Sequence, residues 1–172
     1  MTRTILVLST VLLLSPATLA QTRKRSTSSK PKSTASATQR VSEVRTAGAT
    51  RVADQIKYLT KFIYLLGGAT SNMTAMDESV KRNQASPQVV QQNEQAKARI
   101  KGNITGFREA LDKLEIDFRN TPELQPYYIK LAGVAAGAAT SEQQAGSGQF
   151  DAAGRSLLNV VNRLTDVLLA MR

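Results

Sequence analysis

Small and apolar residues recur at intervals of three and four along most of the chain. From Val41 they fall at Val44, Gly48, Val52, Ile56, Leu59, Ile63 and Leu66, which is one stripe of a long amphipathic helix. Tyr58, Phe62 and Leu65 add a second apolar line in its C-terminal half, so that half is expected to be buried more deeply. Gly67-Gly68 then offers a C-terminal cap, yet the pattern resumes at Thr70, Met73, Met76 and Val80. Two helix-weakening residues in succession favour a break or kink there, with residues 71–84 forming a second helical piece.

Ser86-Pro87 is a restart signal, because the serine can cap free N–H groups and proline suits the first helical position. Val89, Asn93, Ala96, Ile100, Ile104, Phe107, Leu111, Leu114 and Phe118 follow at helical spacing. They predict a helix of about 32 residues, near 48 Å long. Gly102 and Gly106 interrupt its middle and are expected to mark the close approach of a neighbour. Glu109–Lys113, Arg108–Asp112 and Glu115–Arg119 are spaced for ion pairs on a solvated face. Thr121-Pro122-Glu123 repeats the cap-then-proline signal and opens a third long helix through Leu124, Leu131 and Ala138. Its centre, LAGVAAGAAT, places small residues four apart, as at Gly133 and Gly137, which lets another helix approach closely. After Ala145-Gly146-Ser147-Gly148, a last helix carries Phe150, Ala153, Leu157, Val161, Leu164, Leu168 and Met171 on one face.

Long helices, short proline and glycine turns and no alternating strand pattern predict an all-α fold. The architecture expected for residues 41–172 is an antiparallel helical bundle of about four helices. Leu59, Ile63, Ile100, Phe107, Leu111, Leu157, Leu164 and Leu168 are the expected core.

The first forty residues read differently. Arg3, an apolar run from Ile5 to Leu14 and the small-residue site Thr18-Leu19-Ala20 have the order of a secretory signal peptide over residues 1–20. The stretch to Leu19 is about 15 residues, short of the roughly 20 that cross a bilayer, so cleavage after Ala20 is expected over anchoring. The protein is therefore expected to be secreted or periplasmic, with no transmembrane segment in the mature chain. Residues 21–40 are rich in Ser and Thr, with Arg23, Lys24, Arg25, Lys30, Lys32 and Arg40 and no acid. Lacking large apolar side chains, this segment is expected to be a disordered basic linker. It and Arg3 account for most of the formal charge of +10, leaving residues 41–172 only slightly basic. The fold itself thus carries no basic stripe of the kind that nucleic-acid recognition uses, and no specific nucleic-acid recognition is expected.

With no Cys, no His and no Trp, the 172-residue chain is barred from histidine triads, thiol chemistry, disulfides and zinc sites of the usual ligands. The acids Asp77, Glu78, Asp112, Glu115 and Asp117 are isolated or interleaved with cations, so no catalytic pair and no metal site is expected. No cofactor is implied either. The reading from the sequence is a non-enzymatic binding or structural module of the cell envelope or exterior. Its tail would contact an anionic envelope surface or polymer, and a protein partner is the other class of contact weighed. An alternative is a small-ligand carrier, if Tyr58, Phe62, Tyr64, Tyr127 and Tyr128 meet at one end of the bundle and line a pocket.

Overall fold

The computed structural model describes residues 32–172, with side chains from residue 37 onward. The expected signal peptide, and Arg23, Lys24, Arg25 and Lys30 of the tail, lie outside the described residues. What is described is all-α: α1 spans Lys32–Lys81, α2 Pro87–Asn120, α3 Gln125–Leu131, α4 Val134–Gly146 and α5 Phe150–Ala170.

The helices run alternately up and down, and α3 with α4 forms the third limb. Around the ring, α1 packs on α2 and α5, and α4 packs on the same two helices. Cross-links fix the antiparallel register. Arg51 reaches Asp117 at 2.8 Å while Lys97, further back in α2, reaches Asp77 at 2.7 Å. The core is built on seven-residue spacings: Val52, Leu59, Leu66 and Met73 in α1, Ile104, Leu111 and Phe118 in α2, and Phe150, Leu157 and Leu164 in α5 with Met171 just past its end. A repeat of seven keeps one seam facing its neighbours along the whole helix, as in coiled-coil packing. Of the eight expected core residues, Leu59, Ile100, Leu111, Leu157 and Leu164 are buried, while Ile63, Phe107 and Leu168 are half-buried against the core.

Four expectations are corrected. First, α1 is already helical at Lys32, the first described residue, so the last nine residues of the segment read as a disordered linker, Lys32 and Arg40 included, are helical. Once a helix is nucleated, each added residue fixes little more than its own two dihedrals. Second, Gly67-Gly68 does not break α1. Leu66, Thr70 and Met73 are buried on either side of the pair, so the core stripe keeps the helix continuous against a propensity cost of about 1 kcal/mol per glycine. Third, Gly102 and Gly106 face open space, with no atom within 4 Å of a Cβ placed on either.

Fourth, the third limb is two helices. Its first turn starts at Gln125, later than the Thr121-Pro122 signal implied, and the limb breaks at Ala132–Gly133, where Gly133 has φ +88°. The break is capped from both sides by other helices. Arg163 of α5 donates to the Ala132 and Gly133 carbonyls at 2.7 and 3.3 Å, and the Glu115 carboxylate of α2 accepts from the Ala135 N–H at 2.7 Å. The Ala132 carbonyl at the end of α3 and a free N–H in the first turn of α4 are thereby satisfied. Gly133→Ala should cost about 1–2 kcal/mol from the left-handed backbone alone. Chemical denaturation would read this, and an unchanged midpoint would contradict the strained turn.

Both ends of α1 outrun the bundle. Every described side chain from Ala37 to Glu43 is exposed, and Val44 is the first described one to pack on the core. At the far end, Lys101 meets the Gly146 carbonyl where α4 stops, and Phe150 of α5 lines a cavity with Leu66 and Thr70. The turn after Lys81 lies beyond both, so the end of α1 and the start of α2 continue as a two-helix arm.

Candidate functional site

The five aromatic residues expected to share a pocket are dispersed. Tyr58 is 55% and Tyr64 82% exposed, near the middle of α1 and not at its end, because α1 is longer in both directions than its apolar stripe suggested. Phe62 packs inward on Phe107, ring centroids 5.2 Å apart at 61°. Tyr127 and Tyr128 are half-buried at the opposite end, just after Leu124, whose side chain lies against Gly48. Ten residues of helix separate Gly48 from Tyr58, about 15 Å. Tyr58 lines a cavity between α1 and α2 with Arg51, Asp54, Gln55, Lys113, Leu114 and Asp117. Of the tail cations, Arg40 is the one whose side chain is described, and it is exposed on α1.

Two polar clusters that the sequence spacing did not single out hold helices together. In the arm, the Asp77 carboxylate accepts from Asn93 Nδ2 and from Lys97 Nζ, each at 2.7 Å, and Lys97 also reaches Glu94 at 3.0 Å. Asn93 is 2% exposed, and its Oδ1 has no hydrogen-bond partner. The Asp77 contact fixes which way the amide points, since the reversed amide would set oxygen against carboxylate. A cavity of about 230 Å³ lies beside it, lined by Ala69, Met73, Met76 and Ala96 among others. In the bundle, Glu142 of α4 accepts from Thr105 Oγ1 and Arg108 Nε of α2, each at 2.6 Å. Both clusters join residues far apart in sequence, which is why helical spacing could not reveal them.

The electrostatics make these groups fixed charges near neutral pH. The hydrogen bond from Lys97 holds the Asp77 carboxyl below its ordinary range, and the Thr105 hydroxyl followed by Arg108 does the same for Glu142. Burial alone would lower the Lys97 ammonium, but its hydrogen bonds to Asp77 and Glu94 together raise it. Native carboxyls depressed in this way contribute stability that is complete above the unfolded-state value of about 4 and is lost as pH falls through the native values. Lys97 contributes stability that is complete below its unfolded value and is lost as pH rises through its raised native one. Melting temperature should therefore decline below about pH 4, and Glu142→Gln should decline less steeply over that range. Identical acid limbs for the variant and the parent would remove Glu142 from this account.

Among the described residues, no group of three acids gathers to hold a metal ion, and no helix is long and apolar enough to cross a membrane. Of the three ion pairs expected along α2, Arg108–Asp112 forms at 3.5 Å, whereas Glu115 serves the α4 cap.

The chain matches no protein-family model, no curated protein and no solved structure.

Proposed function

We propose that this is an exported, non-enzymatic helical-bundle module of the cell envelope or exterior, which contacts anionic surfaces through its basic N-terminal segment. The observation that carries the reading is the charge distribution. Arg23, Lys24, Arg25, Lys30, Lys32 and Arg40 occur with no acid among them, and the segment leads into a helix whose first described side chains are all exposed. Cations presented away from the core meet a polyanion without desolvating the fold, and their attraction is screened over about 8–10 Å at moderate salt. The small-ligand reading has less support, because Tyr127 and Tyr128 pack at a different level of the bundle from Tyr58 and Tyr64.

The test keeps chain length and helix intact. The mature chain from Gln21, and a variant with all six cations replaced by Gln, are titrated onto purified anionic envelope polymer across a salt series. The parent should bind with an affinity that falls steeply with salt, and the variant should bind much more weakly. Equal binding by the two, or binding indifferent to salt, would move the contact away from the tail.

A further inference from the structure

The solvent face of α1 departs from what a bundle helix normally shows to water. Directly opposite the buried stripe of Val52, Leu59 and Leu66, the positions between residues 57 and 68 that share an arc of about 120° are Lys57, Tyr58, Lys61, Tyr64, Leu65 and Gly68. Three of these are large hydrophobic or aromatic side chains left 55%, 82% and 58% exposed at Tyr58, Tyr64 and Leu65. The two others with side chains are lysines. Between Asp54 and Asp77 the helix holds no acid at all, so Lys57 and Lys61 are its only charges over that length. Asp54, one turn before Lys57, lies on the same arc and lines the cavity with Arg51 and Lys113, and Glu78 pairs with Arg82 at 3.6 Å. A Cβ on Gly68 would meet nothing within 4 Å, so no neighbouring side chain covers the face just beyond Leu65.

From this we infer that the outer face of α1 over residues 57–68 is a lipid-docking surface for anionic bilayers, a second contact separate from the tail. The chemistry selects the occupant. Tyrosine rings carry an apolar body and a polar tip, and lysines can lay their methylene stems on an apolar plane while the ammonium stays in water. Together with an exposed leucine this composition matches the boundary between headgroups and acyl chains, where phosphate oxygens meet the ammonium groups. Tyr58 stands at the edge of the face, where it also lines the cavity between α1 and α2, and Lys57, Lys61, Tyr64 and Leu65 form its exposed centre. The inference extends the reading of the protein as one that works at anionic surfaces, and it names the lipid headgroup as the ligand of this face.

The test separates the two contacts by working in the variant whose six tail cations are Gln. Because the chain contains no Trp, Tyr64→Trp supplies a single reporter on the face. Adding phosphatidylglycerol–phosphatidylcholine vesicles should shift its emission to the blue, while phosphatidylcholine vesicles alone should leave it unmoved. Lys57→Gln with Lys61→Gln should weaken vesicle binding about 25-fold, about fivefold for each lysine lost, and Leu65→Ser should weaken it about tenfold. All of these positions are exposed, so circular dichroism should be unaltered. No emission change with anionic vesicles, or vesicle binding unchanged by the lysine pair, would overturn the inference. A blue shift produced by raising protein concentration without lipid would also overturn it, by assigning the face to a second copy of the chain. If the tail-neutralised variant keeps its face-dependent vesicle binding but loses binding to envelope polymer, both contacts stand. If it shows neither the shift nor vesicle binding while the parent still binds polymer, the lipid face fails and the tail reading survives.

Discussion

Phe118→Ala should lower the free energy of unfolding by about 3–5 kcal/mol, the largest loss expected from a single change in this protein. The ring is fully buried near the end of α2, where it closes the seam between α2 and its neighbours. Above it, the Arg51 guanidinium sits 5.9 Å from the ring centroid and at the same time reaches Asp117. Truncation thus leaves a ring-sized void and also removes the platform under a cation–π contact worth about 0.5–1 kcal/mol at an exposed site. Urea denaturation should show a lower midpoint with an unchanged slope. Ile116→Ala, two residues earlier and 47% exposed, should stay within about 0.5 kcal/mol of the parent. Comparable losses at the two positions would mean that the α2 core stripe is misassigned.

Gly137→Leu is the second large effect, about 1–3 kcal/mol, and its contrast with Ala136→Leu carries the information. A Cβ on Gly137 would lie 2.8 Å from Val160 Cγ2, and Val160 is 1% exposed. Valine is branched at Cβ and stiff about its first torsion, so it cannot swing aside as the end of a longer side chain can. A helical glycine ordinarily invites replacement by alanine, with a gain of about 1 kcal/mol, and here that gain meets a steric overlap. Ala136, one position round the helix, is exposed and should accept leucine with little change. Thermal melts of the two variants should therefore differ by several degrees, and equal melting would show that α4 and α5 are not in contact at Gly137. Close approach at this point is also what lets Ser141 of α4 donate to the Ala153 carbonyl of α5 at 2.9 Å.

The small-residue run of the third limb was legible as a packing face, but not as the place where the limb breaks. In LAGVAAGAAT, Gly133 and Gly137 look equivalent. One takes a left-handed turn and the other lies under Val160, and the difference comes from Arg163 and Glu115, residues distant in sequence. Periodicity located α2 and α5 well because each has a cap signal or turn at its start and a continuous apolar face. It understated α1 at both ends. Helix propagation through Lys32–Arg40 needs no apolar stripe, and the burial of Leu66, Thr70 and Met73 outweighs what two glycines cost. The expected aromatic cluster failed for a related reason: placing Tyr58 and Tyr64 at a helix end depended on that end falling at Gly67-Gly68. The exposed face of α1 was hidden in the sequence, since Tyr58 and Leu65 read as a second buried line when the number of neighbours around α1 was unknown.

The helical start of α1 changes the kind of link between the basic segment and the bundle. Twelve residues run from Lys32 to Glu43, before Val44 reaches the core. As helix they rise about 18 Å, whereas a flexible coil of twelve residues would have a root-mean-square span of about 17–21 Å. The two lengths are nearly the same. What the helix adds is bearing: a coil would let the cations wander over a hemisphere, while a helix continuous with the bundle axis fixes the heading of Arg40 relative to the body. A surface gripped there would set the angle at which the whole molecule stands.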